Sequence, residues 1–109
     1  MRAYVEFGLK HPNHYKVTFI AHPAYHEDAR FLHEEGMGMK AFSYLRMIVE
    51  ECVKQNKFRK VDGELTAQAL WAAVHGVTSL LIVHPNFPWV SKDRLIDYVI
   101  DTMIEGLKA

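Results

Sequence analysis

The stretch "LWAAVHGVTSLLIVH", residues Leu70 to His84, decides how this chain folds. It is apolar almost throughout, with His75 and Gly76 near its middle, and at 3.6 residues per turn it separates into three faces instead of the usual two. Extended back to Asp62, a residue suited to capping, it predicts one long helix that ends near Val83. One face carries Leu65, Ala69, Ala72, Ala73, Gly76 and Leu80, mostly small side chains that let another helix backbone come close. Nearly opposite lie Leu70, Val74, Val77 and Leu81, branched and fully apolar. A helix apolar on opposed faces must be covered on both, and a domain of four or five helices covers only one well. A partner chain is the natural second cover, and the reading gives it Val74, Val77 and Leu81. The third face holds Gln68, Trp71, His75, Thr78 and Ser79, a semi-polar strip that turns His75 toward the interior.

The last helix repeats the message. Ser91 caps it, and Leu95, Ile96, Val99, Ile100, Met103, Ile104 and Leu107 spread over nearly half of its wheel, wider than one core stripe. Ile96, Ile100, Met103, Ile104 and Leu107 therefore join the expected interface, an intermolecular four-helix bundle built from the last two long helices of each chain around a closed twofold. Asp97, Asp101 and Glu105 share the far side at a spacing where their mutual repulsion is tolerable only in solvent.

Earlier segments complete an all-α plan of five to six helices in one domain over residues 1–109. Ala41, Leu45, Ile48, Val49 and Cys52 form the stripe of an amphipathic helix from Lys40, stopped by Asn56, a residue that tolerates the left-handed conformation. Met1 to Lys10 reads as a helix with no capping residue before its first turn, as though it began upstream. Pro12 opens a short second helix carrying Tyr15, Thr18 and Phe19 until Pro23 ends it. Between Ala24 and Gly38 the expectation is a loop and a short helix, because Gly36 and Gly38 weaken a helical run. Strand-like alternation is absent.

Composition narrows the function classes. Thirteen basic and thirteen acidic residues cancel, and no basic stripe supplies the charge that drives phosphate binding, so this chain alone is not expected to hold DNA. The single cysteine, Cys52, excludes an internal disulfide framework and points to a reducing, cytoplasmic setting. The apolar run Ala69 to Val83 falls short of the roughly 20 residues of a membrane span, and no signal-peptide pattern opens the chain.

The motif "LWAAVHG" resembles the WxxxHG signature of a C-terminal domain class, often called WHG, in TetR-type bacterial transcriptional regulators. "AYVEFGLKHPNHYKVTF" is similar to that family's opening pattern of apolar helix, proline, tyrosine and phenylalanine, carried by Phe7, Pro12, Tyr15 and Phe19. "ECVKQNKFRKVDGELTAQALW" and "VIDTMIEGLKA" resemble the stretch before the signature and the last helix. Asn56 and Gly63 depart from the glycine and proline usual there, and both fit the local geometry. The resemblance implies a homodimeric regulatory domain that binds a small apolar or amphipathic effector, without enzymatic activity or a resident cofactor. DNA would be held only through an N-terminal helix-turn-helix head, and no part of this chain reads as one.

Within that frame, Trp71 and His75 are candidates for lining an effector cavity, the indole as apolar wall and the imidazole as orienting polar group. Phe7, Phe19, Phe42 and Leu45 are candidates for the rest of the wall. The plainer reading of His75 is a core histidine satisfied by a carbonyl or a neighbouring hydroxyl. A purely structural dimerisation module is the second function class. A metal site at His22, His26 and His33 is the third, although Pro23 disturbs the first pair and no thiolate accompanies them; His11 and His14 are weaker still. Ser79 stands four residues after His75, but no acidic orienter or oxyanion donor identifies a hydrolase.

Overall fold

The computed structural model of the chain describes residues 1–16 and 29–109, with side chains over 1–16 and 39–109. Its described residues form five helices: α1 (Arg2–Lys10), α2 (Pro12–Tyr15), α3 (Ala29–Lys54), α4 (Gly63–Val83) and α5 (Lys92–Leu107). The caps are those the sequence specifies. Asp62 accepts from the Leu65 amide at 3.0 Å and Ser91 from the Arg94 amide at 3.3 Å, each satisfying a helix-start donor. Asn56 takes φ 60° and stops α3.

One element differs from expectation. Where a loop and short helix were expected up to Gly38, α3 runs unbroken from Ala29 through both glycines. Each glycine costs about 1 kcal/mol against alanine, and the good helix formers around them (Ala29, Leu32, Glu34, Glu35, Met37) carry the helix across. The part of the second helix beyond Lys16, with Thr18 and Phe19, lies outside the described residues.

Helix α4 is the centre of the domain, packed against α1, α3 and α5. At 21 residues it is by length and composition apolar enough to cross a membrane. Its inner positions Thr66, Ala67, Leu70, Val74, Val77, Thr78 and Leu81 are instead buried against the neighbouring helices. Val74, Val77 and Leu81 meet Val5 and Ile96 in one core cluster, while Ala67 and Leu70 meet Val49 and Leu107 in a second. Gly8 lets α1 close on α4, for a Cβ there would stand 2.5 Å from the Thr78 methyl. At the other edge, the Arg2 guanidinium donates to Asp97 at 2.6 Å and Asp93 at 2.9 Å, joining the start of α1 to α5. Asp97 thus keeps its exposed position but gains a partner.

The branched face of α4, expected against a partner chain, is covered within the subunit. The branched face closes the subunit: Val74, Val77 and Leu81 are 2%, 6% and 3% exposed within a single chain. Ile96 and Leu107 of α5 are likewise buried, and Ile100, Met103 and Ile104 are half-buried. Val74, Val77, Leu81, Ile96 and Leu107 have little surface left to offer a second copy, whereas Ile100, Met103 and Ile104 keep part of theirs. The small-residue face is the open one. Leu65, Leu80 and Val83 are exposed, as are Ala69 and Ala72, and a Cβ on Gly76 would meet nothing within 4 Å. Bulky branched groups fill a core that three helices can reach, and the small residues are left outward.

Candidate functional site

Helices α1, α3 and α4 leave space between them. Met1 just before α1, Ala3 and Tyr4 of α1, Lys40, Ala41, Phe42, Tyr44, Leu45 and Ile48 of α3, and Trp71 and Val74 of α4 line a cavity of about 490 Å³. This lies inside the range of about 300–1,000 Å³ typical of small-molecule sites, and its wall is almost wholly apolar. The exposure of Ala41 and Ile48 on a stripe whose Leu45, Val49 and Cys52 are at least partly buried follows, since both face this hollow.

The polar part of the site is a line of hydrogen bonds from the cavity wall to the outer side of α4. The Trp71 indole N–H donates to the Tyr4 hydroxyl at 2.9 Å. Tyr4 and Tyr15 hydroxyls lie 2.9 Å apart, and the Tyr15 hydroxyl lies 2.6 Å from His75 Nδ1. His75 Nε2 is 3.3 Å from Ser79 Oγ. An assignment that uses each hydrogen once runs in one direction: Tyr4 donates to Tyr15, Tyr15 donates to Nδ1, and Nε2–H donates to Ser79. Aromatic packing holds the line in place, with Phe42 tilted against Trp71 and Tyr15 stacked on His75.

Burial sets the charge state. It raises the Tyr4 and Tyr15 hydroxyls above their ordinary values, and the Tyr4 hydroxyl raises Tyr15 further. It also lowers His75, favouring the neutral ring. The line is therefore neutral at neutral pH, and it orients and rigidifies the side chains it joins. Where a serine hydrolase holds a carboxylate behind its histidine, Nδ1 here meets a phenol among the described residues.

The depressed value of His75 has a stability consequence. Below about pH 6.5 the unfolded chain takes a proton at this ring, while the folded chain resists it. The stability His75 contributes is thus full above that pH and lost as pH falls toward the native value. Thermal melts between pH 8 and pH 5 are expected to show the native chain losing more stability on acidification than His75→Gln. Parallel curves would remove the assignment of a neutral, buried-state imidazole.

The candidate residues named from sequence scatter over this geometry. Phe42, Leu45 and Trp71 line the cavity. His75 stands one step behind the wall, satisfied by hydroxyls as in its plainer reading. Phe7 is on the outer side of α1, packed against His11 and His14. Phe19, His22 and His26 lie outside the described residues, and of His33 only the backbone, within α3, is described. Among the described residues no group of three histidine, cysteine or acidic side chains could hold a metal. Neither Tyr4 nor Tyr15 is a site candidate from sequence, where Tyr15 figures only in the short second helix and in the family's opening pattern. The available signal was Gly8, which brings α1 so close to α4 that Tyr4, one turn earlier, reaches Trp71.

Comparison with known proteins agrees with this architecture. No curated protein and no solved structure matches the chain significantly. A family model described as "Tetracyclin repressor-like, C-terminal domain" matches residues 1–104. With almost its whole length matched and every described element helical in the expected order, the chain belongs to the tetracyclin repressor-like C-terminal domain family.

Proposed function

We propose that this domain is the effector-binding and dimerising part of a cytoplasmic transcriptional regulator, non-enzymatic and without a resident cofactor. The cavity between α1, α3 and α4 carries this reading, because a purely structural module would fill that space with its own aromatics. A small apolar or amphipathic molecule enters there against Phe42, Leu45, Ile48 and Trp71. Tyr4 feels its presence directly, and through Tyr15 and His75 the helices α1, α2 and α4 are linked to it. In the whole protein, DNA is held by a helix-turn-helix head outside this chain, and the effector acts by favouring one arrangement of two such heads over another by a few kcal/mol.

The dimer face that the geometry supports is the outer stripe of α4: Leu65, Ala69, Ala72, Gly76, Leu80 and Val83. Its neighbour on α5 is the flank turned away from α1, with half-buried Leu95 and Val99 and exposed Thr102. The bundle of four helices expected from sequence is kept, with α4 rotated so that its small residues face the twofold. Small side chains and a glycine with open space above it permit the close helix approach such a bundle needs.

N-phenylnaphthylamine, a neutral probe that brightens in apolar surroundings, is expected to bind saturably with one site per chain. Ala41→Trp, which puts an indole into the cavity from α3, should weaken that binding at least tenfold while helicity by circular dichroism is unchanged. Non-saturable binding, or equal affinity in the variant, would favour the purely structural module.

A further inference from the structure

The wall of the cavity contains one charged side chain among the described residues, Lys40, and it lies at the exposed end. The same lysine and Tyr44 also line a second, shallower hollow beside the first, together with Met39, Ser43 and Met47. Lys40 and Tyr44 thus stand between the two hollows and border both. Both are exposed and form the rim of the apolar chamber, its mouth, and beyond them the shallower hollow adds the Ser43 hydroxyl, so that the polar groups there are an ammonium and two hydroxyls. All three can donate hydrogen bonds, and no acidic side chain lines either hollow among the described residues. No ion pair to Lys40 is formed among the described residues. A lysine in this position lays its aliphatic stem along apolar wall and keeps its ammonium in water at the entrance.

We infer that the effector is a single-chain anionic amphiphile, its hydrocarbon part in the chamber against Phe42, Leu45, Ile48 and Trp71 and its acidic head at the mouth on Lys40 and Tyr44. This rests on the cavity being an effector site. The chemistry selects the head group by sign. A carboxylate gains a charge-assisted hydrogen bond from Lys40, a neutral hydroxyl gains only an ordinary one, and an ammonium is repelled. Because the lysine head is solvent-exposed, the discrimination is modest, a few-fold in affinity. The apolar chamber supplies most of the binding and the mouth supplies the orientation.

Decanoate, decanol and decylamine, which share a chain and differ in head charge, distinguish the possibilities by isothermal titration calorimetry at neutral pH and low salt. The native chain is expected to bind decanoate about threefold to fivefold more tightly than decanol, and decylamine least. In Lys40→Met the ratio of decanoate to decanol falls to about one, and in Lys40→Glu the order of decanoate and decylamine reverses. Equal affinities for all three probes in the native chain would overturn the head-group assignment and leave the cavity standing. A decanoate preference that survives in Lys40→Met would also overturn it, by placing the cation elsewhere. Failure of all three to bind would remove the effector cavity itself and this inference with it.

Discussion

Leu81→Asp is expected to unfold the subunit. Leu81 is 3% exposed and packed with Val5, Val74, Val77 and Ile96 at the junction of α1, α4 and α5. Truncating such a side chain to alanine costs about 2–5 kcal/mol through lost burial and the cavity left behind. A carboxylate in the same place adds an unpaired charge in an apolar setting, and no described side chain of that cluster can neutralise it. The sum is on the order of 5 kcal/mol or more, comparable to the whole stability of a small domain. Circular dichroism at 25 °C should show loss of most helical signal, with Leu81→Ala folded but melting well below the native chain. A folded Leu81→Asp that had merely become monomeric would return this face to the subunit interface, where sequence reading had put it.

The neighbouring substitution, Leu80→Asp, is expected to do the opposite. Leu80 is 47% exposed on the outer stripe, and Gly76, one turn earlier, has open space above it. In an isolated subunit the new carboxylate reaches water, so the helical signal and melting temperature of the monomer change little. In the proposed dimer it lies against its symmetry mate's apolar stripe, and both copies carry the same charge. Loss of several kcal/mol of association free energy is expected, enough to shift the protein from dimer to monomer at micromolar concentration. Gly76→Arg should act alike through bulk. An elution volume unchanged from the native chain, with the fold intact, would show that this stripe does not meet a partner.

These adjacent residues also mark where the sequence is legible and where it is not. That α4 has two apolar faces follows from periodicity alone, since Leu70, Val74, Val77 and Leu81 and the small residues opposite fall on fixed angles of the wheel. Which face turns inward does not. Small residues permit close packing equally within and between chains, and only the reach of Val5 and Ile96 toward Leu81 decides the matter. The helix ends at Asp62, Ser91 and Asn56 were legible because capping is local chemistry written within three or four residues. The unbroken α3 was not, since glycine propensity is a weak prior that neighbouring residues outweighed at Gly36 and Gly38.

The site shows the same division. Trp71, Phe42 and Leu45 could be named because they sit on inward stripes of long helices, and the cavity lies where those stripes diverge. The hydroxyl line could not. Tyr15 meets His75 across 60 positions of sequence, and that pairing depends on the approach of α1 and α2 to α4. The lysine at the mouth carries no periodic signal either, because an exposed cation on an amphipathic helix is the usual solvated residue until a hollow is seen beside it.

The proposed dimer rests on one physical premise, that the outer stripe of α4 is too apolar to stay in water. Multi-angle light scattering of the unmodified chain at micromolar concentration should return a mass twice the 12.6 kDa of one chain. A mass of 12.6 kDa, held as the concentration is raised, would mean that the stripe is stable in solvent and that the pairing is not there.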